Sequence, residues 1–278
     1  MSSVTGDRDH DVALPRWVPD GIDVTMPNAS RIYDCLLGGY HNFAVDREYA
    51  ERMEESHPGA QQGVAASRAL LGRVVRWLVD AGIRQFLDIG SGIPTLGNVH
   101  EVAQQAAPQA RVMYVDIDPV AVAHTRAILA GNPRAGVLQA DLRRPIDIVD
   151  HPEVNDLLDF SEPVAVMLMA VLHFIPEADD PYAIVAQLRD AVVAGSYIAL
   201  SHGIHVAKLA EAQESARRVL QQTPTPAYFR TEEQIARLLT GLDLVEPGIV
   251  SIPDWRPDPS ETASESWPGG LAALGRKP

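Results

Sequence analysis

Residues Phe86 to Val102 read FLDIGSGIPTLGNVHEV: an apolar run ending at Asp88, a glycine-containing turn, and the start of an amphipathic helix. Such a strand, turn and helix belong to an open parallel sheet, in which ligands bind beyond the C-terminal strand ends. Gly90 and Gly92 permit a tight turn and a close backbone approach, and the free N–H groups of the following helix can receive an anion. The dinucleotide fingerprint GxGxxG would put glycine at position 95, but Thr95 stands there after Pro94, which disfavours a nicotinamide-linked oxidoreductase.

Outward from this turn, short apolar runs at 85–89, 111–115, 136–140, 164–169 and 197–201 alternate with periodic stretches starting near Thr95, Pro119, Asp180 and His205. Strands alternating with helices predict an α/β fold, a mostly parallel sheet with helices on both faces. Asp118-Pro119 reads as a helix N-cap and first residue, and Thr231 followed by Glu233 and Gln234 as another helix start. The runs 242–252 and 271–275 predict an antiparallel hairpin at the sheet edge. Upstream, residues 28–80 are helical in pattern, and Leu70, Leu71, Val74, Val75 and Leu78 form an apolar stripe that ends near Gly82. Residues 1–24 are polar and aperiodic and read as a mobile arm that orders on binding. The domain expectation is therefore an arm at 1–24, a helical cap or lid at 25–82, and the α/β domain at 83–278.

The 278 residues, 46% hydrophobic and 22% charged, suffice for one large core. A net charge of −14 opposes non-specific nucleic-acid binding, which draws its free energy from cationic contacts to phosphate, and so favours a small-molecule substrate. No apolar run reaches the length of about 20 residues that a membrane span needs, and no leader pattern opens the chain, so a cytoplasmic protein without membrane association is expected. Cys35 is the sole cysteine and reads as a small buried apolar side chain, and with no CxxC or HExxH arrangement no metal site is expected. Lys208 and Lys277 are the only lysines beside abundant alanine and arginine, a bias typical of high-GC bacterial genomes.

Three acids stand at successive strand ends. Asp88 closes the first strand. Asp116, in the run VMYVDID, closes the second, where a carboxylate can accept both hydroxyls of a ribose while Ile117 packs on a purine face. Asp141, in QADL with Leu142, closes the third, where it can accept an exocyclic amine. Asp116 would also repel a 2′-phosphate, which argues against NADP. Asp118 reads as a helix cap. Together these features describe a pocket for a nucleoside with a cationic centre, S-adenosyl-L-methionine.

FLDIGSGIPT, YVDIDP, QADL and MLMAVLHFIP resemble the successive motifs of class I methyltransferases. The segment Pro27 to Asp34 (PNASRIYD), with Gly38-Gly39, Asn42-Phe43 and Asp46-Arg47, and the ending GRKP resemble a bacterial S-adenosyl methyltransferase family of actinobacterial type, once catalogued as a domain of unknown function. This resemblance, spanning residues 24–278, implies a Rossmann-like class I methyltransferase fold with a mostly parallel seven-stranded sheet and an N-terminal helical lid. It implies a cofactor site formed by Asp88, Gly90, Ser91, Gly92, Asp116, Ile117, Asp141, Leu142 and Ala170. Through a likeness to the leucine carboxyl methyltransferase branch, it also implies that Arg68 pairs with the methionine carboxylate. That branch carries an acid after the fourth strand, where this chain has Met169-Ala170-Val171.

Methyl transfer from a sulfonium needs alignment and exclusion of water, and a general base only when the acceptor must lose a proton. Tyr33, Tyr40, His41, His173 and Phe174 are candidates to face the methyl group. His173, after the fourth strand, and Tyr33 are the expected catalytic residues; His202 and His205 have weaker claims. The NPPY signature of amide and adenine N-methyltransferases is absent. The reading is a methyltransferase acting on oxygen, nitrogen or carboxylate of a small molecule; the alternative is a regulatory protein that binds S-adenosylmethionine without turnover.

Overall fold

A computed structural model of the chain describes residues 23–56, 58–93, 97–204, 226–258 and 269–278. All but the last two residues of the expected arm, Thr95, and the periodic stretch from His205 lie outside them. The described elements run α1 (Ala29–Leu36), α2 (Ala44–Ser56), α3 (Ala60–Asp80), β1 (Gln85–Ile89), α4 (Val99–Ala106), β2 (Arg111–Asp116), α5 (Pro119–Ile128), β3 (Ala135–Gln139), α6 (Pro145–Val149), α7 (Pro152–Leu157), β4 (Ala165–Met169), α8 (Pro181–Ala191) and β5 (Tyr197–Gly203). They finish with α9 (Glu232–Leu238), β6 (Asp243–Leu244), β7 (Val250–Ser251) and β8 (Gly270–Arg276).

The sheet runs β3-β2-β1-β4-β5-β8-β6, with β7 also beside β8. β1 through β5 are parallel neighbours, and β8 is antiparallel to β5, β6 and β7. Strand order reverses at β1, whose partners are β2 on one side and β4 on the other, so the loops after β1 and β4 open a crevice. Side chains of β1 alternate between the two helical layers. Phe86 joins an apolar cluster with α3, α4 and α5, whereas Leu87 and Ile89 join one with α6, α7, α8 and α9.

The sheet has eight strands where seven were expected, because the last strand position is broken. β6 pairs with Gly275 and Arg276, and β7 with Leu271 and Ala272, along the same edge of β8. Between them Pro247 offers no N–H, and a turn closes with Gly248 N–H donating to the Val245 carbonyl at 2.9 Å. The expected antiparallel partnership of the two C-terminal runs is thus present, with 242–252 interrupted.

The helical pattern over 28–80 resolves into three helices. Asp46, fully buried, joins the first two: its carboxylate accepts the Asn28 N–H at 3.0 Å and the Phe43 N–H at 2.8 Å, and lies 3.5 Å from Arg31 Nε. Asp34 Oδ2 accepts the His41 N–H and Asn42 Nδ2, both at 2.9 Å, fixing the turn between α1 and α2. These helices enclose a small cluster of Ile32, Leu36, Tyr49 and Ala50, while the Leu70 to Val79 face of α3 packs into the cluster around Phe86. The chain leaves α3 at Gly82, where the Ile83 N–H reaches back to the Leu78 carbonyl at 2.9 Å.

Candidate active site

A cavity of about 790 Å³ opens at the crevice between β1 and β4 and reaches from the glycine turn, under α1 and α3, to the ends of β4 and β5. The expected cofactor-site residues Arg68, Asp88, Gly90, Ser91, Gly92, Asp116, Ile117, Asp141, Leu142 and Ala170 line it, as do Tyr33 and His173, the two expected catalytic residues. Gly90 has φ +73°, and a Cβ there would fall 2.2 Å from Val171 Cγ2, so the loops after β1 and β4 approach through the missing side chain.

Asp116 is tied into the turn. Its Oδ2 accepts the Gly92 N–H at 2.7 Å, and its Oδ1 accepts the Asp118 N–H at 2.9 Å. Each oxygen retains lone-pair capacity for one more donor. Burial pushes this carboxyl up to about 6, against those backbone hydrogen bonds, which favour the charged form. Asp88 is pushed up to about 7, again by burial, with the Arg68 charge opposing and Asp116 adding to the rise. Two buried acids so raised are poised to gain from a ligand that donates hydrogen bonds or carries positive charge. Asp118 caps α5 by accepting the Val120 N–H at 2.9 Å, the role read from the sequence.

The third acid is engaged differently. Arg143 grips Asp141, with Nε at 3.0 and 2.9 Å from the two carboxylate oxygens and Nη2 at 2.6 Å from Oδ2. Burial alone would raise this carboxyl, but the Arg143 hydrogen bonds and charge outweigh it and hold it below the usual carboxylate range. Ile117 is half exposed at the cavity rim, and Leu142 is buried beside Asp141.

On the cap side, the Arg68 guanidinium lies 5.9 Å from the centre of the Tyr33 ring and, among the described residues, makes no hydrogen bond or ion pair; its Nε is shut off from solvent without a partner. A guanidinium left unpaired beside a cavity is a ready site for a carboxylate. The Tyr33 hydroxyl approaches the Val64 carbonyl at 3.4 Å, and burial raises its pKa despite the Arg68 charge.

At the opposite end, Ala170 holds φ +53°, rare for a residue with a Cβ, and its N–H is fixed by the Ser201 carbonyl at 3.2 Å and Ser201 Oγ at 3.0 Å. His173 follows on a short 3-10 turn, and burial, with the Arg230 charge, pushes its pKa down to about 4. His202 is pushed down to about 3 by burial and by His173 and Arg230.

Arg230, whose role the sequence reading missed, organises this end. Its Nη1 donates to the Leu172 carbonyl and to His202 Nε2, each at 2.8 Å. Nη2 donates to the Ile175 carbonyl at 2.7 Å, and Nε to Glu177 Oε1 at 2.8 Å. Because a guanidinium can only donate, His202 Nε2 must be the accepting nitrogen, and its Nδ1–H faces the Gly203 carbonyl at 2.7 Å. The only sequence signal was an arginine directly before the Thr231 helix cap. Of the remaining candidates, Phe174 lines the cavity, whereas Tyr40, at 90% exposed, is on the surface; His41 packs against His124 with tilted rings whose centres are 3.9 Å apart, and Cys35 is half-buried beside the α1–α2 cluster. His205 lies outside the described residues.

The parallel half-sheet reversing at β1, the inserted antiparallel β8, and the buried acids around a glycine turn define a class I methyltransferase. The chain belongs to the S-adenosyl methyltransferase family, whose model matches residues 15–278, and it is accordingly an S-adenosylmethionine-dependent methyltransferase. It is similar to the crystal structure of a protein from Thermobifida fusca, with 41% identity, a TM-score of 0.89, and coverage of 95% of this chain and 99% of that one. A DUF574 family protein from Streptomyces avermitilis shares 37% identity, with a TM-score of 0.87 and coverage of 92% and 99%. At 14% identity and a TM-score of 0.51, an O-methyltransferase family protein from Burkholderia thailandensis covers 79% of this chain and is covered over 60% of its own length, a likeness of fold. No curated protein matches the chain. Among the described residues no helix is long and apolar enough to cross a membrane, and no cluster of metal-ligating side chains occurs.

Proposed function

We propose that this methyltransferase acts on a small-molecule acceptor, at oxygen, nitrogen or carboxylate, held in the end of the cavity between Tyr33 and His173. The observation that carries this reading is the continuity of one cavity from the acid-lined turn to His173, large enough for two ligands and lined by few cationic side chains. When bound, S-adenosylmethionine supplies an electrophilic sulfonium methyl group. Asp116 holds the ribose hydroxyls, with Ile117 against the purine. Asp141 and Leu142 form the rim for the adenine edge, and Gly90, Ser91, Gly92 and Ala170 bring backbone close to the ligand. Arg68 takes the methionine carboxylate, and the raised acid Asp88 takes the neighbouring ammonium.

The helices α1 and α2 act as a lid over this end and keep water from the methyl group, with residues 25–82 as cap and 83–278 as the catalytic domain. Tyr33 and His173 flank the transfer path. The full chain incubated with methyl-labelled S-adenosylmethionine and a fractionated small-molecule extract is expected to move label into an extract compound and to release S-adenosylhomocysteine. Cofactor binding with no labelled product in any fraction would instead support a silent cofactor-binding regulator.

A further inference from the structure

The acceptor end of the cavity has a chemistry of its own. Its wall is aromatic: Phe174, Tyr228 and Phe229 line it, and Tyr33 faces the same cavity from the cap side. The Phe229 ring lies directly against the β5 backbone, since a Cβ on Gly203 would fall 2.7 Å from its Cδ1. The Tyr228 N–H donates to the His173 carbonyl at 2.6 Å, so the aromatic segment and the His173 turn are held as one unit.

Charge is distributed unevenly along the cavity. The acids among its described lining residues are Asp88, Asp116, Asp118 and Asp141, all at the C-terminal ends of β1 and β2 or on the loops after β2 and β3. The β4 and β5 end presents His173 and His202, both kept uncharged by burial, in front of the buried Arg230 guanidinium. A protonated amine arriving there meets two uncharged histidines and, among the described lining residues of that end, no carboxylate to pair with, since the Glu177 carboxylate behind them is taken by Arg230. Among the described residues the His173 ring makes no hydrogen bond. Its Nδ1 is enclosed, so Nε2 is the nitrogen left to meet a ligand.

Resting on the cofactor-site reading above, we propose that the acceptor is a planar aromatic compound bearing a hydroxyl, taken up without positive charge between these rings with its oxygen hydrogen-bonded to His173. In the transfer a lone pair of that oxygen forms the bond to the methyl carbon as the carbon–sulfur bond breaks, and the breaking pair stays on sulfur as the neutral thioether. The hydroxyl proton passes to His173 Nε2 and from there to water. A weakly basic histidine suffices, because the O–H becomes strongly acidic as the oxygen is alkylated.

The test compares 2-naphthol with 2-naphthylmethylamine, which is protonated at pH 7.5 and presents the same bicycle. Each is titrated by fluorescence into the full chain saturated with S-adenosylhomocysteine. 2-Naphthol is expected to bind at least about tenfold more tightly, and His173→Phe to weaken it by about 3- to 10-fold, the worth of one hydrogen bond. Calorimetric binding of S-adenosylhomocysteine to the variant shows that it is folded. Equal binding of the amine, no binding of 2-naphthol, or indifference of 2-naphthol to His173→Phe overturns the proposal while leaving the cofactor site standing. Failure of the wild-type chain to bind S-adenosylhomocysteine overturns the cofactor reading itself.

Discussion

Replacing Asp116 with asparagine separates a ligand-binding role from a structural one. In the wild type its two oxygens already accept the Gly92 and Asp118 N–H groups at 2.7 and 2.9 Å, and the ribose hydroxyls would take the remaining lone pairs. The substituted side chain keeps one oxygen; its amide NH₂ faces one of those backbone donors, so one turn contact is lost and the ribose meets a neutral group. Hydrogen bonds to charged groups are worth about 1.5–3 kcal/mol each, and losing the charge on one and the bond itself on the other amounts to ~2–4 kcal/mol, or about 30- to 1000-fold in affinity. Fold stability should move little, because Asp116→Asn also removes a buried charge whose pKa burial has lifted to about 6. Calorimetric titration of S-adenosylhomocysteine at pH 7.5, with urea unfolding of both proteins, reads the two effects separately. Affinity within about twofold of wild type in a stably folded variant would refute the ribose assignment.

Cofactor affinity should itself depend on pH. Asp88 and Asp116, lifted to about 7 and about 6, must release protons to receive donors, so affinity is full above pH 8 and falls as pH drops through 7 to 5, by at most about tenfold per unit for each proton; a flat calorimetric profile would contradict this. Arg68→Met should weaken S-adenosylhomocysteine about 10- to 100-fold yet leave 5′-methylthioadenosine, which lacks the amino acid carboxylate, unaffected in the same titration. Arg230→Met leaves the Leu172 and Ile175 carbonyls, His202 Nε2 and Glu177 without their donor, and should cost about 3–5 kcal/mol in urea unfolding. Gly90→Ala combines a left-handed φ with a collision against Val171 and should cost about 2–5 kcal/mol by the same measure; adding Val171→Ala should relieve only the collision.

The parallel core was legible because its strands are buried on both faces and read as continuous apolar runs: β1 falls at 85–89, as its residues indicate, and β2 to β5 shift by only one or two residues. The Asp118-Pro119 and Thr231 helix starts were legible for a local reason, since capping uses groups within three residues. The broken edge strand was not, because β6 and β7 are each two residues long and exist only through β8. The site divides in the same way. Acids at strand ends follow from strand positions, whereas the side-chain contacts that tune the site do not. Arg230 contacts His202 and the 172–177 turn across more than twenty-five residues, and the Arg143 grip on Asp141 depends on a rotamer rather than a pattern. The polar PNASRIYD to DR segment stood out as a motif, and much of it proves to be internal wiring of the cap, with Asp46 and Asp34 buried against backbone N–H groups.

The central claim, that the turn after β1 and the acids beside it hold S-adenosylmethionine, is tested most directly by calorimetric titration of S-adenosylmethionine into the full wild-type chain at pH 7.5. A single saturable site of micromolar affinity, with competition by S-adenosylhomocysteine, is the predicted result. A folded protein that gives no binding heat up to millimolar ligand, at more than one temperature, would contradict the account.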